Sequence, residues 1–409
     1  MGLIHQHRLK NGLWFVAEPI EATRSVAMSL LLRAGVAGEP NGQQGAATML
    51  AEMICRGAGD CDARAHSEAL DHLGVQRGSG AQTVHLRIGA TMIGQLLADA
   101  LPLIVDMVRR PQLDQSALEP SRALAIQGLE ALQDEPQQKV MLELRSRHFP
   151  KPFDRWPLGR REDLQEMTLQ QIHSYFQQGF VPDGAVLGVA GCFDWPSLRD
   201  QVQELLGDWE GSVPEPTATA SPLRGYEHQQ AESTQVHIGL AYDALPENDP
   251  ASIVQRAAVA VLAGGMSGRL FTEVREKRGL CYTVGARYMA DKHRGAVLSY
   301  AGTTTPRAQE TLSVLKAELH RLAEGVEPGE FDRAIVGMKS GLVMQGESTG
   351  ARAAAIAGDQ YIFGRPRSLD ELAKQIDTIT LDQLNQFVAD HPPPEMTIVT
   401  IGPSELIVE

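Results

Sequence analysis

A helix start and an apolar strand occur in the same order twice in this chain. Thr168-Leu-Gln-Gln-Ile-His-Ser-Tyr-Phe opens with an N-cap threonine, and the run 185–191 after it reads as a buried strand. The pair returns 212 residues later, as Thr380-Leu-Asp-Gln-Leu-Asn-Gln-Phe and then 396–402. Between the copies, 209–230 is rich in Pro, Ser, Thr, Gly and Glu, which is the composition of a linker. A repeat of this length restricts the chain to two like halves rather than one large core. The expected fold class is α+β: two homologous α/β domains related by internal duplication, each a mostly antiparallel sheet with helices packed on one face. The boundaries expected are 1–210, a linker over 211–230, and 231–409.

Within the first half, Asn11-Gly12 signals a hairpin between two short strands, and 25–33 reads as a further buried strand. Helices are expected over 45–56 and 63–74, a strand over 82–91, and long helical stretches over 92–109 and 118–149. In the second half the run Gly264 through Gly285 carries the most local information. Leu270, Phe271 and Val274 have helical spacing, Arg275, Lys277 and Arg278 crowd the last turn, and Gly279 stands where a left-handed cap belongs. Beyond it the period drops to two, with Leu280, Tyr282, Val284 and Ala286 on one face and Cys281, Thr283 and Gly285 on the other. The reading is helix, glycine stop, strand, with a guanidinium before the corner and a phenol after it.

The run Arg269-Leu-Phe-x-Glu-Val-Arg-Glu-Lys-Arg-Gly-Leu-x-Tyr282 strongly resembles the C-terminal half of the pitrilysin/insulinase-like zinc peptidases, the inverzincins. The resemblance covers essentially the whole chain and implies the same two-domain layout. It also implies that Arg275 and Tyr282 hold substrate backbone and stabilise the oxyanion of peptide hydrolysis at a zinc site. Arg269, Glu273 and Arg278 would support that corner or meet a partner; equally, Glu273 and Lys277 form an i, i+4 pair that serves the helix alone.

Catalytic members of the family carry His-x-x-Glu-His on a helix of the first domain, two zinc ligands and a general base, with a further glutamate downstream. The matching stretch here is Gly45-Ala-Ala-Thr-Met-Leu-Ala-Glu-Met-Ile-Cys-Arg-Gly57. Thr48 takes the first histidine position, Ala51 the base position and Glu52 the second histidine position. Gly128 falls on the third ligand, and a one-residue shift offers only Gln127 or Leu129. A catalytic zinc needs about three protein ligands, so no metal is expected in this chain. His66 and His72, His5 and His7, and Cys55 and Cys61 are poor substitutes in spacing or setting.

An intact Arg/Tyr element beside a lost zinc element resembles the non-zinc subunit of the family's heterodimers. The expected partner is a homologous chain bearing His-x-x-Glu-His, which would supply the zinc, and the expected substrate is an unfolded peptide. The alternatives are a catalytically inactive scaffold or peptide-binding protein, and an active homodimer with an unusual metal site; the isolated chain as a homodimer stays open. A net charge of −14 over 409 residues argues against nucleic acid. Four scattered cysteines fit a reducing compartment, no signal peptide or membrane span is read, and the cytoplasm is expected.

Overall fold

The computed structural model describes residues 3–408. The strands of the two large sheets, in chain order, are β1 (His5–Arg8), β2 (Trp14–Pro19), β3 (Ser25–Leu32), β4 (Gln76–Ala81), β5 (Leu86–Ile93) and β6 (Val186–Gly191), then β7 (Tyr226–Gln230), β8 (Gln235–Ala244), β9 (Cys281–Ala290), β10 (Gly295–Thr304) and β11 (Thr397–Gly402). The first six form one sheet in the order β1-β2-β6-β3-β5-β4, and the other five form a second in the order β9-β10-β8-β11-β7. Leaving β1 aside, the two orders correspond strand for strand in chain sequence. In both sheets the corresponding pair, β2/β6 and β7/β11, is parallel while the rest is antiparallel. The duplication read from the two threonine-started helices is therefore a duplication of topology. Thr168 and Thr380 each accept the backbone N–H three residues on, closing the first turn of Leu169–Gly179 and Leu381–Asp390.

One packing boundary falls at Ala220/Ser221, inside the expected linker 211–230, and two further segments change unit. One compact unit takes residues through Ala131, Lys151–Ala220 and Gln345–Arg367; the other takes Leu132–Pro150, Ser221–Met344 and the residues from Ser368 on. Each half thus lends a helix to the other half's sheet. In the first unit, Phe15, Leu30, Ile88 and Leu187 point to a large core with Leu50, Leu101 and Ile172. On the opposite face Val16, Leu31 and Val186 meet Ile356 and Ala357 of the helix Thr349–Phe363. In the second unit, Ile238, Leu240 and Ile398 pack with Val261, Leu312 and Leu384, and Ala241, Leu298 and Val399 pack with Val140 and Leu144 of the helix Pro136–His148. Both sheets are mixed, mostly antiparallel, with the bulk of the helices on one face as expected and one lent helix on the other.

The lent helix of the first unit carries a charge into the interior. Arg352 is fully buried, its Nη2 lies 2.6 Å from Glu18 on β2, and its Nε donates to the same carboxylate oxygen at 2.8 Å. A pair this dry survives only because each partner neutralises the other.

Local expectations differ from the structure in several places. The helical stretch 118–149 is two helices, Gln115–Ala131 and Pro136–His148, because Pro136 starts a new helix at its first position. Residues 226–230, assigned to the linker, form β7. Strand β4 lies where no strand was read, its pattern hidden by Gly78 and Gly80. The strand expected over 82–91 runs instead from Leu86 to Ile93. Among the described residues, no helix is long and apolar enough to cross a membrane.

Candidate functional site

The corner in the second unit forms around Gly279, whose φ of +60° is the left-handed conformation that ends the preceding helix. The turn before it is wider than an α-helix: Phe271–Glu276 is a π-helical segment, and Lys277 N–H donates to the carbonyl of Thr272. Gly279 N–H donates to Arg275 O at 2.9 Å and Leu280 N–H to Val274 O at 3.0 Å, folding the chain back on itself. Such bulges in a helix re-aim side chains and concentrate at functional positions.

A second irregularity follows at once. In the β9/β10 ladder Cys281 pairs with Thr303 and Thr283 with Gly302, so Tyr282 is an extra residue in a β-bulge. The strict alternation read over 280–286 is corrected here. Leu280 and Cys281 are both buried, while Tyr282 is turned outward and 81 % exposed. The Arg275 guanidinium carbon lies 4.8 Å from the Tyr282 ring centroid and 4.7 Å from that of Phe271, held against both rings. The two residues singled out from sequence therefore meet, and the phenol hydroxyl is presented to solvent beside a fixed cation. Burial pushes the neighbouring Cys281 thiol up to about 11, which leaves it uncharged at neutral pH.

The supporting residues divide by environment. Arg269 is buried and structural in its contacts: Nε and Nη2 each reach Glu330 at 2.6 Å, and Nη2 also donates to the Gly325 carbonyl at 2.6 Å. It ties the start of the corner to the segment before the helix Pro328–Gly346. Glu273 accepts from Lys277 at 2.7 Å and Arg278 at 2.8 Å, and those two cations hold its carboxyl below the usual range. This cluster ties Glu273 to the two cations that close the same turn.

The segment that aligns with the family's zinc motif lies in the first unit, on the helix Ala46–Met53. Thr48 Oγ1 donates to the Pro157 carbonyl, so its hydroxyl is spent on the loop. Ala51 is buried, and its carbonyl accepts from Ser79 Oγ at 2.6 Å. Glu52 is paired with Arg56 at 2.8 Å, one turn on. A Cβ at Gly128 would meet the Leu158 side chain at 3.5 Å, so the residues that meet Thr48 and Gly128 are consecutive in one loop. The donor set at these positions is a single carboxylate already engaged by a guanidinium, which does not fit zinc. Among the described residues, no three His, Cys, Asp or Glu side chains gather as a metal site would require. His66 bonds the Leu103 carbonyl at 3.0 Å, His5 stacks on Trp195, and all four cysteines are free.

Sequence reading missed one ionisable group close to this segment. Glu39, 3 % exposed, accepts the backbone N–H of Gly45 at 3.0 Å and of Ala47 at 2.9 Å where the helix begins. Burial pushes its carboxyl up to about 7. It stands six residues before Gly45 with no motif around it, and only the fold brings it under the helix end.

Comparison with known proteins bears on both halves. Residues 15–152 match the insulinase family, peptidase family M16, and residues 166–338 match the peptidase M16 inactive domain. A Bacillus subtilis protein named an uncharacterized zinc protease is 23 % identical over 98 % of this chain and 99 % of its own. The crystal structure of a peptidase M16 inactive domain from Pseudomonas fluorescens superposes with a TM-score of 0.89 at 21 % identity, covering 99 % of this chain and 100 % of that one. A chain of complex III from Candida albicans gives a TM-score of 0.84 at 18 % identity, covering 100 % of this chain and 98 % of that one.

Proposed function

The chain belongs to the insulinase family of peptidases, M16, and from that membership we propose that it is the non-zinc subunit of a heterodimeric zinc metallopeptidase. Its partner is a homologous chain carrying His-x-x-Glu-His, which holds the zinc and the general base. This chain supplies Arg275 and Tyr282: the guanidinium binds a substrate carbonyl, and the phenol donates a hydrogen bond to the oxygen that becomes negative in the tetrahedral intermediate. The substrate is an unfolded peptide, and the proposed compartment is the cytoplasm, in keeping with four free cysteines.

The observation that carries this reading is the pairing of opposites. Tyr282 stands 81 % exposed on a bulge against a guanidinium, whereas Thr48 and Glu52 spend their polar atoms on neighbours. Such a donor has no purpose without an electrophile to act on. The test is to co-express the chain with a His-x-x-Glu-His homologue, measure assembly by size, and assay peptide cleavage and zinc content for each chain and the mixture. Activity and stoichiometric zinc in this chain alone would refute the reading and favour the homodimer. Failure of every homologue to assemble or to gain activity would favour a scaffold or peptide-binding role instead, for which the uncovered edge of β4 is the supporting feature.

A further inference from the structure

Gly279 and Leu280 join the π-helical turn to β9, and all four of their main-chain polar groups are engaged. The two N–H groups reach back to the turn, to the carbonyls of Arg275 and Val274. The two carbonyls are met by side chains from further along the chain. Arg307 Nη1 donates to the Gly279 carbonyl, and Thr303 Oγ1 donates to that of Leu280. Thr303 lies near the end of β10, and Arg307 closes the short turn Thr305–Arg307 that follows.

The Thr303 hydroxyl is the stronger of these two ties. It is buried together with Leu280, and Thr311 of the helix Ala308–Arg321 places a second hydroxyl 3.1 Å from it. A carbonyl at this depth is costly to leave unmet, so the Leu280 carbonyl stays where the Thr303 hydroxyl is. Thr303 also faces Cys281 across the ladder, and the register slips at the next step, where Thr283 faces Gly302. The bond therefore sits at the rung from which the bulge departs. In the first sheet the corresponding ladder, β4 with β5, runs from Gln76 opposite Thr91 to Ala81 opposite Leu86 without a slip. The bulge thus belongs to the second half and is no general trait of the duplicated fold.

We propose that Thr303 is a positioning residue for Tyr282: by fixing the Leu280 carbonyl it sets the bulge, and the bulge aims the phenol hydroxyl. Arg307 is a second, weaker tie on the same corner. Thr303 has this role only if Tyr282 has the one put forward above. Being buried, it acts through the corner and touches no substrate. A misplacement of about 1 Å can cost roughly 100-fold in rate, and the loss is bounded by that of removing the Tyr282 hydroxyl outright.

Thr303→Val keeps the shape of the side chain and removes the donor, whereas Thr303→Ser keeps the donor. In the full chain alone, hydrogen exchange read by mass spectrometry is expected to quicken for Thr303→Val in peptides spanning 275–285. Peptides spanning β8 and β11 stay unchanged, and Thr303→Ser is protected like the unsubstituted chain. With a zinc-bearing partner, Thr303→Val lowers kcat by about 10- to 100-fold at unchanged KM, and Thr303→Ser recovers most of it. In a Tyr282→Phe background Thr303→Val lowers kcat no further, because nothing is left for it to position. Arg307→Leu changes an exposed side chain and follows the same pattern at smaller size, so it carries the test should Thr303→Val fail to fold. Unchanged exchange at the corner, or a loss of kcat as large in the Tyr282→Phe background as outside it, overturns the proposal while the Tyr282 role stands. Full activity of Tyr282→Phe by itself refutes that role and takes the proposal with it.

Discussion

Glu39→Gln should stabilise the protein at neutral pH and do nothing for it in acid. The Glu39 carboxyl is buried at the start of the helix Ala46–Met53, where one oxygen accepts two backbone N–H groups and the other, Oε2, has no partner. Burial raises its pKa from 4.5 to about 7, outweighing the two N–H bonds and the Arg155 charge, which act the other way. The folded state therefore holds this proton more tightly than the unfolded one. The contribution to stability is fully present below about pH 4.5 and is lost as pH rises to about 7, beyond which the loss is constant. A displacement of this size corresponds to about 3 kcal/mol. Glutamine keeps an oxygen for Gly45 and Ala47 and never ionises. It should therefore match the unsubstituted protein near pH 4 and exceed it by about 3 kcal/mol near pH 8. Urea unfolding followed by tryptophan fluorescence is the assay, because all four tryptophans, Trp14, Trp156, Trp195 and Trp209, lie in the unit that contains Glu39. A stability difference that does not change with pH would refute the reasoning. One that grows toward acid would show that the helix end and its N–H groups dominate burial.

Tyr282→Phe keeps the ring that Arg275 lies against and removes only the hydroxyl. Assayed with a zinc-bearing partner, it should lower turnover by roughly 100- to 1,000-fold, the usual loss for one oxyanion donor, and should leave assembly unchanged. Glu18→Ala leaves Arg352 buried without a counter-charge and should cost about 3–5 kcal/mol in the tryptophan-reported transition, while replacing both partners by apolar residues of similar volume should recover most of it. Arg269→Ala removes both bonds to Glu330 and the tie to Gly325. Its expected cost is at the lower end of about 3–5 kcal/mol, read by circular dichroism because the second unit has no tryptophan.

What the residues disclose in advance depends on whether the signal is local. The two threonine-capped helices and the apolar strands after them are written in short windows, and both appear where expected. The glycine stop at 279 is equally local, since its φ of +60° follows from a helix that must end. The outward turn of Tyr282 is not local. It depends on how β9 registers against β10, and alternation counted along one strand has no means of detecting an extra residue in the ladder. Strand β4 escapes for the opposite reason: with Gly78 and Gly80 in place of side chains, its period is erased. Glu39 and Arg352 look like ordinary surface charges in sequence, and only tertiary burial gives them their properties. The lending of helices between halves has no sequence mark, because the residues of 136–148 and 349–363 make a helix without stating which sheet it will cover.

That lending sets a timetable for the nascent chain. The last strand of the first sheet is complete at Gly191, yet the helix that covers its second face ends only at Phe363. At translation speeds of about 5–20 residues per second, roughly 9 to 35 seconds separate the two. Through that interval Val16, Leu31 and Val186 lack Ile356 and Ala357, the helix residues that cover them. The emerging polypeptide carries a sticky, half-built sheet while the ribosome makes the rest, and the ribosome-bound intermediate is the stage at which a chaperone would do most for this protein.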